Sequence, residues 1–410
     1  MNNPPKLGGR RSGGDDQVGD LIGHRREDPS LKQSIELKPF VVIGGRGDLG
    51  AGEKPMEIEP ANKEQEETAP FFVIGLRKTQ LKNPNNHISI NDVIPVVDLM
   101  EPEEAKDLIV KACEEVGFFK VVNHGVPIEA IDKLEAEALR FFGLPQHEKD
   151  QVAPANPYGY GCKKIGNNGD VGLVEYLLLA ANPELMVSQR SSIAIPGDSQ
   201  LFWNAVSENV GAVREMACKV LEMIAQGLKM EEKNGLSKLI SDEKSDSFFR
   251  LNHYPPCPKL DEVAHHRVGD EDDERKLRIG FGEHTDPQLI SAIRSNDTTG
   301  LQICLRDGTW VSVPPDPSSF FINVGDVLQA MSNGRFRSVR HRVVVGDSWK
   351  EARVSMIYFG GPPLNEKIAP LPCFMALGEE RLYHDFTWCQ YKNSAYMTTL
   401  GENRLFHFQH

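Results

Sequence analysis

In Gly282-Glu283-His284-Thr285-Asp286 an imidazole and a carboxylate stand two positions apart. At the end of a β-strand, side chains two apart point to the same face, so His284 and Asp286 can grip one cation. A His-x-Asp by itself is weak, because either residue more often sits satisfied in a strand or turn. Val339-Arg340-His341-Arg342-Val343 adds a third imidazole, with His341 on the same face as Val339 and Val343. An imidazole on an apolar strand face needs a partner. It is either a core histidine bonded to a backbone carbonyl or a third ligand brought across a barrel. Two neutral imidazoles and one carboxylate on one face of Fe(II) leave three positions open, room for a bidentate organic ligand and O₂ together. Zinc accepts the same donors.

A second constellation favours iron. Period two aims Arg353 and Ser355 of Arg353-Val354-Ser355 the same way, and a planar guanidinium with a hydroxyl makes a receptor for a buried carboxylate. Asn252 and Tyr254 in FFRLNHYPPCP also share a face and offer an amide and a phenol, Tyr254 as a second carboxylate contact. The plainer alternatives are a surface strand residue for Arg353 and a packing aromatic for Tyr254.

These residues fall in a half of the chain built of short alternating runs: FFRLNHYP, LQICL, TWVSV, SSFFINV, VRHRVVV and RVSMIYFGG. Asp307-Gly308 between LQICL and TWVSV signals a hairpin. Many short antiparallel strands with closely spaced turns predict an α+β chain whose core is a double-stranded β-helix, or jelly roll, with helices packed outside it. Those helices come from the preceding half. A strand-like IPVVDL leads to a helix with Pro102 in its first turn and Leu108, Ile109, Ala112, Cys113 and Val116 on one face. FFKVVNHGVP reads as strand and turn. A second helix carries Ile131, Leu134, Ala138, Leu139 and Phe142 and stops at Gly143 and Pro145; a third runs from about 201 to 228. The expected organisation is an extension over 1–90, a helix-rich region over 91–240, the jelly roll over 241–362 and a helical tail over 363–410.

The extension is rich in Gly, Pro, Asn and charge, too poor in apolar surface to offset ordering entropy, and is expected to be mostly disordered. Its two apolar islands, KPFVVIGG and APFFVIGL, resemble each other and read either as strands or docking segments or, the favoured expectation for so short an echo, as a chance similarity. The acidic stretch 261–276 reads as a solvated loop, and its His265-His266 pair lacks nearby thiols or positioned carboxylates. With 410 residues, 40% hydrophobic and a formal charge of −13, the chain can bury a large core and would repel a phosphate backbone, so nucleic acid is not an expected partner. Seven scattered cysteines without a Cys-x-x-Cys pair suit a reducing compartment and no structural zinc. No apolar run is long enough to span a bilayer; the expectation is a cytoplasmic protein, with the nucleus open.

From Ile94 onward the chain resembles the plant 2-oxoglutarate-dependent dioxygenases, through IPVVDL, GFFKVVNHGVP, NHYPPCP, GEHTDP, GLQICLRDGTWVSVPP, FINVGDVLQAMSNGRFRSVRHRV and RVSMIYFGGPP. It is most similar to the gibberellin 2-oxidases, through GYGCKKIGNNGDVGLVEYLLL, SDSFFRLNHYPPCP and the tail IAPLP, FTWCQYK and NRL. The resemblance implies that His284, Asp286 and His341 ligate Fe(II), that Arg353 and Ser355 hold the distal carboxylate of 2-oxoglutarate, and that Tyr254 assists. It implies hydroxylation of a gibberellin at carbon 2, coupled to oxidative decarboxylation of 2-oxoglutarate by O₂ to succinate and CO₂, with ascorbate as a candidate reductant. A mostly apolar diterpenoid with one carboxylate wants a greasy pocket with one cation. Lys163-Lys164, chiefly Lys164, is the candidate cation, and Tyr396 a candidate lid contact. His124 in VNHGVP is expected to be structural. The stretch between His341 and Arg353 is about two residues longer than in the family, with the excess expected in the turn at Gly346-Asp347. The competing readings are an oxidase of another plant hormone or metabolite, a silent small-molecule binder and, more poorly, a zinc hydrolase. Nothing in the sequence sets the oligomeric state.

Overall fold

The computed structural model describes residues 93–410, except 166–168, 257–277, 347–348 and 350. The expected extension, its two apolar islands, the acidic loop with His265-His266 and part of the turn at Gly346-Asp347 lie outside the described residues. Strand β1 (Val96–Asp98) buries Val97 and leads into α1 (Pro102–Glu115), where Pro sits at a first-turn position that needs no intrahelical N–H bond. Ile109, Ala112 and Cys113 of α1 are buried, whereas Leu108 stands at the edge of that face, exposed. β2 (Phe118–Val122) pairs parallel with β1. In α2 (Ile128–Phe142) Ile131, Leu134, Ala138 and Phe142 are buried and Leu139 turns to solvent; Gly143 caps the helix.

After the short α3 (Gln146–Lys149) comes an antiparallel hairpin, β3 (Gly159–Lys164) and β4 (Val171–Ala180). It lies in the half whose periodicity predicts helices. The run VGLVEYLLLA is nearly continuous in apolar residues, a pattern that does not separate strand from helix. The helices resume with α4 (Pro183–Ser192), α5 (Ser199–Gly227) and α6 (Ser237–Ser241).

The second half supplies β5 (Phe248–Tyr254), β6 (Arg278–His284), β7 (Ile290–Ser295), β8 (Leu301–Cys304), β9 (Trp310–Ser312), β10 (Phe320–Val324), α7 (Asp326–Met331), β11 (His341–Val345), β12 (Arg353–Gly360), β13 (Lys367–Ile368), β14 (Phe386–Thr387) and α8 (Trp388–Met397). The large sheet has the order β1-β2-β10-β7-β12-β5-β4-β3, the smaller one facing it β6-β11-β8-β9, and β13 pairs with β14 as a separate two-stranded sheet. This is the expected α+β jelly roll. The Asp307-Gly308 turn joins β8 to β9 as expected, with Gly308 at φ +85 and the Asp307 carboxylate accepting from Thr309 N.

Alternation decides what each face of the large sheet does. Along β12, Val354, Met356 and Tyr358 enter a core shared with α1, α2 and α5, where Val206, Val210, Val213, Ala217, Val220, Leu221 and Ile224 are buried. Each such valine, leucine or isoleucine side chain removed from water contributes about 1.5–3 kcal/mol. Arg353, Ser355 and Ile357 face the other way, into a second, smaller core lined by both sheets. Along β5 the same rule sends Phe249 and Leu251 outward to the helices and Arg250, Asn252 and Tyr254 inward.

Candidate active site

β11 pairs antiparallel with β6 so that His341 lies directly across from His284, their rings 4.2 Å apart. The loop after β6 brings Asp286 beneath both. His284 Nε2 is 3.8 Å and His341 Nε2 3.6 Å from Asp286 Oδ1. One ligand atom from each of the three residues lies within 4.8 Å of the other two, and this is the one such cluster among the described residues. Each Nδ1 is paired with a backbone carbonyl two residues earlier, at 2.7 Å to Gly282 O and 3.2 Å to Val339 O. Those bonds place the proton on Nδ1 and aim both Nε2 lone pairs at the same point. Burial, with His341 and Arg404 adding to it, holds the His284 imidazole well below the ordinary histidine range, so it is neutral and able to ligate. Two imidazoles and a carboxylate, all partly or fully buried, fit an Fe(II) ion with open positions.

The carboxylate is itself held. Asn323 on β10 donates from Nδ2 to Asp286 Oδ2 at 3.0 Å, leaving Oδ1 toward the histidines. Asp286 O accepts from Asp326 N, and the Asp326 carboxylate accepts from Thr285 Oγ1 and from Tyr391 of α8 at 2.6 Å. Arg404 donates to Thr285 O. None of these four supporting residues follows from the sequence reading; the available signal was Asn323, a lone amide inside the apolar run FFINV.

β12 and β5 set the neighbouring group. Their register places Arg353 opposite Tyr254 and Ser355 opposite Asn252. All four are buried and line an inner cavity together with His284 and His341. Among the described residues nothing accepts a hydrogen bond from Arg353 Nε or Nη1, and no carboxylate pairs with it. A buried guanidinium without an anion is costly, so these two donors fit an organic acid entering the cavity. Burial also keeps Tyr254 a phenol by raising its pKa, and its hydroxyl accepts from Asn252 Nδ2. Arg353 holds the register with β5 that sets it opposite Tyr254.

An outer cavity shares Arg250, Phe281, His284, Asp286 and Phe359 with the inner one. Tyr396 lines it and is exposed at its rim. Lys164 does not reach it. Lys163 takes a left-handed conformation, φ +63, at an irregularity in the β3–β4 register, and both lysines point to solvent while Ile165 enters the cavity. The cation that the sequence reading passed over is Arg250, two residues before Asn252 on the same strand face. His124 lies outside both cavities: it accepts from Val126 N and contacts Ser318 O, tying the turn after β2 to the approach to β10.

A jelly roll with a two-histidine, one-carboxylate cluster beside an unpaired buried arginine defines a non-haem iron oxygenase that takes an organic acid. The sequence profile of the 2OG-Fe(II) oxygenase superfamily matches residues 245–362, and that of the non-haem dioxygenase in morphine synthesis N-terminal region matches 94–184. The chain is 57% identical over 317 residues to the gibberellin 2-beta-dioxygenase of Phaseolus coccineus, covering 77% of this chain and 91% of that protein. It is 54% identical over 332 residues to gibberellin 2-beta-dioxygenase 2 of Arabidopsis thaliana, covering 78% and 93%. The crystal structure of JOX2 in complex with 2OG, Fe and JA superposes with a TM-score of 0.64 at 25% identity, over 77% of this chain and 89% of that one. The chain belongs to the gibberellin 2-beta-dioxygenase family of the 2OG-Fe(II) oxygenase superfamily. It is an Fe(II)- and 2-oxoglutarate-dependent dioxygenase.

Proposed function

We propose that this enzyme hydroxylates gibberellins at carbon 2 and so inactivates the hormone. The observation that carries the reading is the meeting of two cavities at His284 and Asp286, one with a carboxylate receptor and one walled largely by apolar side chains. In this reading His284, Asp286 and His341 ligate Fe(II). Arg353 and Ser355 hold the distal carboxylate of 2-oxoglutarate, with Tyr254 donating to it and Asn252 orienting that phenol. The bound iron supplies the redox chemistry by which one atom of O₂ enters the gibberellin and the other enters succinate as CO₂ leaves. The chain's own work is positioning. Arg353 fixes the co-substrate at the back of the inner cavity, Asn323 keeps one Asp286 oxygen turned to the metal, and Phe281 with the α8 wall excludes water from the reacting carbon.

The same reading organises the chain as an extension over 1–90 followed by the helical and jelly-roll regions. It places the enzyme in the cytoplasm or nucleus; no helix among the described residues is long and apolar enough to cross a membrane. Anaerobic reconstitution with Fe(II), followed by O₂, 2-oxoglutarate and a panel of gibberellins, tests it by mass spectrometry and NMR of the product. The expected result is one added hydroxyl at carbon 2. Hydroxylation at another carbon, or succinate formation that no gibberellin stimulates, would remove the proposed substrate.

A further inference from the structure

Arg353, buried, and Arg250, half-buried, both face the cavities, and among the described residues no carboxylate forms a salt bridge with either. Arg353 closes the inner one, and 2-oxoglutarate supplies its anion. Arg250, on the same inward face of β5, lines both cavities. Its guanidinium lies 3.8 Å from the centre of the Tyr176 ring and 5.0 Å from that of Phe281, and Nε donates to Asn252 Oδ1 at 2.7 Å. The aromatic faces and this single bond fix its plane. Its Nη2 is buried and finds no acceptor, and among the described residues no Asp or Glu forms a salt bridge with it. Aromatic faces stabilise a cation only in part, so the site still favours an anion.

The outer cavity offers one other guanidinium, Arg404. It is engaged, donating to Thr285 O beside the metal-binding cluster, and it does not line the inner cavity. Lys163 and Lys164 are in solvent.

We propose that Arg250 is the receptor for the substrate's carboxylate, docking it where the two cavities meet so that the apolar skeleton lies in the outer one. This rests on the reading of the substrate as a gibberellin acid. A carboxylate on Nη2 satisfies the orphan donor and leaves the Nε–Asn252 bond intact, so the anchor also ties substrate position to the Asn252–Tyr254 pair beside 2-oxoglutarate. A neutral ester loses the charge-assisted bond and keeps the apolar contacts.

The test compares a gibberellin with its methyl ester on the wild type, Arg250→Gln and Arg250→Lys. The readouts are kcat and KM for gibberellin, KM for 2-oxoglutarate, and calorimetric binding of acid and ester to the anaerobic Fe(II) and 2-oxoglutarate-loaded enzyme. The wild type should prefer the acid by about ten- to a hundredfold, the worth of a hydrogen bond to a charged group. Arg250→Gln should lose that factor on the acid, show no preference between acid and ester, and keep the wild-type KM for 2-oxoglutarate. Arg250→Lys should recover part of the preference. A glutamine variant that still prefers the acid as the wild type does, or one whose KM for 2-oxoglutarate rises with the loss, would overturn the role of Arg250. A wild type inert toward acid and ester alike, yet converting 2-oxoglutarate, would instead remove the substrate reading and this proposal with it.

Discussion

The inner cavity takes its polar groups from neighbouring strands whose cross-strand register fixes their separation: His284 across from His341, Arg353 across from Tyr254, Ser355 across from Asn252. The outer cavity is closed by side chains far apart in sequence, among them Ile165 near the β3 end and Ala395, Tyr396, Leu400 and Arg404 from the C-terminal segment. That segment is held by individual long-range bonds. Trp388 Nε1 and Lys392 Nζ donate to Asp246, Tyr391 to Asp326, Leu400 N to the Asp170 carboxylate and Arg404 to Thr285 O. On the proposed reading the chemistry sits on a hydrogen-bonded strand ladder, and substrate choice on a wall pinned at a few points.

If this contrast is right, substitutions should sort by cavity. The largest effect belongs to Asp286→Ala: metal content in anaerobic iron titrations should collapse and turnover fall by at least about a thousandfold, because two imidazoles alone no longer fix the metal geometry. Arg353→Lys comes next. It keeps the charge but loses the planar fork, so the KM for 2-oxoglutarate should rise about ten- to a hundredfold in steady-state assays while iron binding is retained. Asn323→Ala frees Asp286 Oδ2 and should weaken Fe(II) affinity by about tenfold or more in equilibrium titrations, with an unchanged circular dichroism spectrum.

His124 gives a pH effect outside both cavities. Burial lowers its pKa in the folded chain, so the unfolded chain binds the extra proton first as pH falls through about 6.5. Stability measured by denaturant titration should therefore decline below that pH, and His124→Asn should flatten the decline. The smallest effect is expected of Lys164→Ala. As an exposed residue outside the cavity, it should change kcat/KM for gibberellin by no more than about twofold; a larger loss would return the cation role to the β3–β4 hairpin.

What could be read from the sequence follows the same division. Period two places His284 with Asp286, Arg353 with Ser355 and Asn252 with Tyr254, and the structure brings all six together with His341. One more step along that alternation reaches Arg250. The outer wall resists such reading, since its partners meet only through tertiary packing. Lys164 shows why: a register irregularity at Lys163 turns the pair outward and sends Ile165 in, a local event that residue type does not announce. The β3–β4 hairpin is hidden for a related reason, because its apolar run fits either period.

The central claim, that one site couples 2-oxoglutarate to gibberellin hydroxylation, is tested most directly by turnover under ¹⁸O₂ with mass spectrometry of both products. The account predicts one labelled oxygen in succinate and one in the carbon-2 hydroxyl, in equal amounts, and neither in Asp286→Ala. A hydroxyl oxygen drawn from water, or hydroxylated gibberellin formed without a matching yield of labelled succinate, would contradict it.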